Sequence, residues 1–167
     1  SRLANLVFRE YGGLEYDYLD RGGRQLMMWR AVSDCAPELR EYLRGGATAF
    51  KKGELSSSDR DLIAALLSKS DEFKNCRIAP KRLIEAQNRL DPDNDARLIR
   101  KLSDLRLITE RYSALMGGRA DPPDDMAALC GILEKHDYFK DRAVYFDSFV
   151  SFSPAQYEVI RHIIAQA

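Results

Sequence analysis

Eight of the ten glycines fall in four Gly-Gly pairs, Gly12-Gly13, Gly22-Gly23, Gly45-Gly46 and Gly117-Gly118. Asp91-Pro92, Asp121-Pro122 and Ser153-Pro154 add three proline starts. Glycine reaches positive φ and so closes helices, whereas proline fits a first helical turn, where its missing N–H is no loss. The marks cut the chain into helix-sized pieces. No pair is followed by Lys-Ser or Lys-Thr, so a nucleotide-cradling P-loop is excluded.

Residues 3–11 are apolar-rich, and Gly12 can end them as a helix. Residues 14–19 alternate apolar and acidic, the period of a strand. Pairing them with residues 25–32 across Gly22-Gly23 would make a hairpin, but Met and Leu favour a helix over residues 24–33. Residues 38–44 read as two helical turns closed by Gly45-Gly46. Ser58 and Asp61 have the spacing of a capping box opening a helix over residues 59–69. Pro80 starts a further helix to Leu90. The longest predicted helix begins at Asp91-Pro92 and runs to Met116, with Leu98, Leu102, Leu105 and Tyr112 as its apolar stripe and Gly117 as its stop. Helices follow from Asp121 through Leu133 and from the Ser153–Gln156 capping box through Ile164. Residues 143–152, rich in aromatics, suit strand or helix.

A chain of 167 residues suits one domain, here residues 1–167. Twenty-six basic residues balance twenty-six acidic ones, so no global field draws it to nucleic acid or an anionic membrane. Cys35, Cys76 and Cys130 offer neither a metal knuckle nor a disulfide framework, which implies reduced thiols in the cytoplasm. No apolar run reaches the roughly 20 residues of a membrane span, and no secretory leader is visible. The start at Ser1 without methionine fits a domain excised from a longer protein.

Chemistry-bearing constellations are few. Asp91, Asp93 and Asp95 have calcium-loop spacing, but Ala96 and Leu102 stand where an EF-hand needs glycine and glutamate. The acids read instead as a helix cap complementing the dipole. His136-Asp137 lacks the upstream histidine that His-Asp phosphohydrolases require. Neither His136 nor His162 has the arginine that helical ribonucleases place four to six residues earlier. An acidic metal site at His136, Asp137 and Asp141 ranks third among the functional readings. No cofactor fingerprint occurs.

Charge is uneven along the chain. Residues 74–111 hold ten basic and six acidic side chains, a net of +4, whereas residues 119–167 hold five and eight, a net of −3. Arg77, Lys81, Arg82, Arg89, Arg97, Arg100, Lys101 and Arg111 could merge into a phosphate-binding surface if the two helices carrying most of them pack together. Glu85 and Asp104 would interrupt it. Met27, Met28 and Trp29, with Tyr145, Phe149 and Phe152, are the candidate partner contacts, because Met and aromatic groups recur in protein grooves.

The sequence therefore predicts a mainly α, irregular multi-helix bundle, with room for a small N-terminal β-hairpin. Elimination points to a non-catalytic, intracellular helical interaction domain that binds a protein partner or itself, without metal, cofactor or membrane. The alternative is a nucleic-acid-binding domain using the basic surface of residues 74–111.

Overall fold

The structure, a computed structural model, describes residues 2–13, 18–43, 56–121 and 123–167. Seven helices form among them: α1 (Arg2–Tyr11), α2 (Arg21–Cys35), α3 (Ser57–Asn75), α4 (Pro80–Gln87), α5 (Ala96–Met116), α6 (Asp124–Leu133) and α7 (Pro154–Gln166). The all-α expectation holds. The chain gathers into two compact units, each with its own core. Unit 1 comprises Ser1–Tyr18, Glu72–Arg77 and Arg119–Ala167, and unit 2 comprises Leu19–Asp71 and Ile78–Gly118.

Unit 1 is built on three amphipathic helices. Ala4, Val7 and Phe8 of α1 lie at i, i+3 and i+4 and bury against Leu129, Cys130 and Leu133 of α6 and Val159 and Ile163 of α7. Tyr138 and Phe139 complete the cluster. Gly12, at φ +86°, donates its N–H to the Phe8 carbonyl at 2.9 Å and closes α1 in the left-handed region that glycine tolerates. Ser153 opens α7 with the expected reciprocal capping box to Gln156. A partly buried ionic cluster of three side chains ties the remaining pieces. Lys74 donates to Asp121, which is fully buried, and to Asp124, both at 2.9 Å.

In unit 2 the buried residues include Met28, Ala31, Val32 and Cys35 of α2, Ile63, Leu66 and Leu67 of α3, Leu83 of α4, and Leu105, Ile108, Tyr112 and Met116 of α5. Helices α2 and α4 both pack on α5. The Gln87 amide donates to the Ile99 carbonyl at 2.9 Å and fixes α4 to the start of α5. Gly117 ends α5 at φ +58°, as its place after the stripe predicts.

Four local readings need correction. No hairpin forms among the described residues: the would-be second strand lies in α2, whose first turn is capped by Asp20 accepting from the Gly23 N–H at 2.7 Å. Residues 14–17, the first arm, lie outside the described residues, where Gly45-Gly46 also falls, and the β-pairing of Tyr18 is an isolated bridge to Ala120. Residues 38–43 are turns rather than helix. The reciprocal cap of α3 is Ser56 with Asp59, not Ser58 with Asp61, and the helix extends to Asn75. Residues 91–95 form a turn ahead of α5: Asp91 accepts from the Asp93 N–H at 3.0 Å, and Asp95 accepts from the Asp91 N–H at 3.1 Å. That first bond, then one from the Asn94 side chain, holds the Asp91 carboxyl below its ordinary range.

Burial ranks the three thiols. Cys35 and Cys130 are buried and Cys76 is half-buried; loss of solvation pushes both buried thiols up, away from the reactive thiolate. Maleimide labelling followed by peptide mass spectrometry should therefore modify Cys76 at least about tenfold faster than either of the others. Equal rates at Cys35 or Cys130 would contradict the packing of the unit that holds it.

Candidate nucleic-acid interface

The most constrained polar group of unit 2 is the carboxylate of Asp104, 1% exposed in the middle of α5. It accepts from three successive backbone amides: Arg40 at 3.1 Å to each oxygen, Glu41 at 2.7 Å and Tyr42 at 3.1 Å. Consecutive N–H groups converging on one anion form a nest, and bonds to a charged acceptor are stronger than neutral ones. Two turns of helix are marginal without packing to help, and the carboxylate gives the amides of Arg40, Glu41 and Tyr42 acceptors in a turn conformation instead. This accounts for the turns over residues 38–43. It also removes Asp104 from the surface, where the sequence alone would put it as an interruption of the basic patch.

The pinned loop gathers cations. Glu41, its side chain only 5% exposed, accepts from Arg97 and has Arg100 Nε at 3.7 Å. Arg97, Arg100, Lys101 and Asp104 share one face of α5 by their three- and four-residue spacing. The Lys101 ammonium stands 5.8 Å from the centre of the Tyr42 ring. Arg40 and Lys101 are exposed and have no acidic partner among the described residues. Burial, then Asp104 and Glu41, pushes the Tyr42 phenol up, so the ring stays neutral and adds no negative charge. Two hollows flank the loop. One, of about 480 Å³, is lined by Arg40, Arg100 and Ser103 together with Glu38 and Asp104; the other, of about 560 Å³, by Tyr42, Arg97, Leu98 and Lys101 together with Glu41 and Asp95. A flat neutral ring beside cations is the arrangement that stacks a base and holds its phosphate.

The other residues of the predicted surface are placed differently. Arg111 donates to Asp34, 2.8 Å from Nε, and that bond holds the Asp34 carboxyl below its ordinary range. Arg82 pairs with Glu85 at 3.2 Å on α4. Lys81 and Arg89 are exposed at α4 and just beyond it. Arg77 belongs to unit 1 and pairs with Glu158. Only Arg97, Arg100 and Lys101 of the eight are gathered at the loop. Arg40 and Tyr42 escape sequence reasoning because their segment reads as a helix. Local sequence offers no signal for them, because Asp104 already has Arg100 and Lys101 one turn away on its own helix.

The candidate partner contacts divide between the units. In unit 2, Met28 is fully buried, and Met27 and Trp29 are half-buried. The buried Trp29 indole N–H meets no acceptor among the described residues, and its ring lines a hollow of about 260 Å³ with Leu26 and Ile63. In unit 1, Tyr145 and Phe149 are exposed and Phe152 is half-buried. His136 stacks on Tyr11 at 4.3 Å, and no group of three or more metal-ligating side chains is assembled among the described residues. No described helix is long and apolar enough to cross a membrane.

Replacing Asp104 with Ala would leave three inward-facing amides without their acceptor. We expect a loss of about 3 kcal/mol in urea denaturation, with Asp104→Asn losing roughly half as much because one carbonyl oxygen survives. A change below about 0.5 kcal/mol in the alanine variant would show that the nest does not hold the loop.

A family model described as "ADDB, N-terminal" matches residues 1–167. An ATP-dependent helicase/deoxyribonuclease subunit of Clostridioides difficile (strain 630) is 29% identical over 163 residues, covering 97% of this chain and 13% of that protein. The same-named protein of Thermoanaerobacter sp. (strain X514) is 26% identical over 99% of this chain and 13% of its own length. That of Bacillus anthracis is 27% identical over 98% of this chain and 14% of its own length. The chain thus spans about one-eighth of the curated relatives it matches. With the model matching every residue, the chain belongs to the ADDB N-terminal family.

Proposed function

We propose that this chain is a DNA-binding module of a helicase/deoxyribonuclease-type subunit and that it contacts DNA through the loop-and-helix surface of unit 2. The observation that carries this reading is the Asp104-pinned loop, which sets Tyr42 and Arg40 beside Lys101, Arg97 and Arg100. Family membership favours it over the protein-interaction reading that elimination puts first, since the relatives' name concerns DNA. Phosphates would be held by Arg40 and Lys101, whose charges are not offset by described acids. Arg97 and Arg100 would contribute less, because Glu41 already engages both. Tyr42 would stack on a base, which favours single strands over duplex, whose bases are already stacked.

Fluorescence anisotropy with a labelled single-stranded oligonucleotide at several salt concentrations tests the assignment. The Arg40→Ala/Lys101→Ala variant should bind about tenfold more weakly at low salt, with a log–log salt slope shallower by roughly 1.4, the release expected from two phosphate contacts. Arg82→Ala, which removes an already paired charge, should bind as the parent does. An unchanged affinity and slope in the double variant would remove this surface from the proposal.

A further inference from the structure

Residues 142–147, Arg-Ala-Val-Tyr-Phe-Asp, include the strand formers Val144, Tyr145 and Phe146 and contain no helix, turn or bend, yet belong to no sheet. Two left-handed residues bracket them, Asp141 at φ +59° and Ser148 at φ +60°. The Arg142 N–H closes a turn onto the Phe139 carbonyl at 3.0 Å. The next amide with a described partner is that of Ser153, which donates to Gln156 at 2.8 Å. Between them, the backbone groups of residues 143–152 make no hydrogen bond to any described residue. Val144 packs against the unit 1 core, whereas Tyr145 is 88% exposed. Beyond it, Phe146, Phe149 and Phe152 form a ring cluster with centroids 4.8–6.5 Å apart, and Phe146 and Phe149 are themselves exposed.

Such a segment is half of a packed strand. One side chain is seated on its own unit, the next points outward, and both hydrogen-bonding edges are open. Long open edges with apolar side chains are unstable as a final state, because they pair with whatever strand they meet. We infer that residues 142–147 are one strand of a β-sheet whose other strands lie elsewhere in a longer polypeptide of the ADDB type. The described residues contain no strand to pair with it, while the matched segment is only 13% of the relatives' length, which leaves ample chain to supply the sheet. A second copy of the segment fits less well. Two-fold pairing would give an isolated two-stranded ribbon with two edges still open, and such ribbons are marginal in water. Strands on the same polypeptide also act at the millimolar effective concentration of a tether. The proposal is independent of the DNA reading.

Amide hydrogen exchange on the full natural polypeptide tests it. The amides of residues 143–147 should exchange at least about 100-fold more slowly than in a free peptide of that sequence. Tyr145→Pro, which deletes a donor and fixes φ, should abolish the protection, whereas Tyr145→Thr, which keeps strand propensity, should retain it. Exchange at the free-peptide rate would overturn the assignment. Protection that disappears on dilution would also overturn it, by placing the pairing strand on a second copy.

Discussion

Unit 2 depends on a carboxylate placed where water cannot reach it. Taking an ionised group out of water costs several kcal/mol, and the Asp104 side chain recovers that cost only because three backbone amides arrive together to solvate it. The requirement runs both ways. The anion needs the loop, and the loop, held in turn form by these bonds, needs the anion. Everything exposed at that end of α5 follows. Arg40 and Tyr42 are held in place beside α5, Glu41 is turned inward to collect Arg97 and Arg100, and Lys101 is left beside a neutral ring. Fixing donors before a ligand arrives lowers the entropy cost of binding.

What the sequence makes legible is local. The Ser153–Gln156 box, the glycine stops of α1 and α5 and the helical α2 all depend on residues within a few turns of one another, and all can be read from the chain. What it hides is set by partners far along the chain. The bonds from Asp104 reach 62 to 64 positions back, the Arg111–Asp34 pair spans 77, and the Arg77–Glu158 pair spans 81. Helical spacing puts Asp104 among its charged neighbours on α5, but only the fold shows that a loop lies over it. The basic surface is therefore legible in composition and not in extent. Arg97, Arg100 and Lys101 stand together at the loop, while nothing local marks Arg40 and Tyr42 as their neighbours. The aromatic stretch near residue 145 shows the complementary failure. Its side chains suit strand or helix, and among the described residues it forms neither.

Family membership changes the weight of the functional readings without supplying a catalytic centre. The relatives are named for helicase and deoxyribonuclease chemistry, and the matched segment is about one-eighth of their length. Chemistry named for so long a protein does not have to be carried by these residues. The two units present different surfaces: a cationic, ring-bearing one in unit 2 and an exposed aromatic one in unit 1. Our proposals give the first to DNA and the second to a β-sheet of a longer polypeptide.

Asp104 should govern DNA affinity through the loop it pins. A double-mutant cycle on single-stranded DNA affinity, combining Asp104→Asn with Tyr42→Ala, tests this most directly. Asp104 is buried and acts through the loop, so its variant should lose affinity, and the loss from Tyr42→Ala should shrink once the pin is weakened. Losses that simply add, or an Asp104→Asn variant that binds as tightly as the parent, would contradict the account.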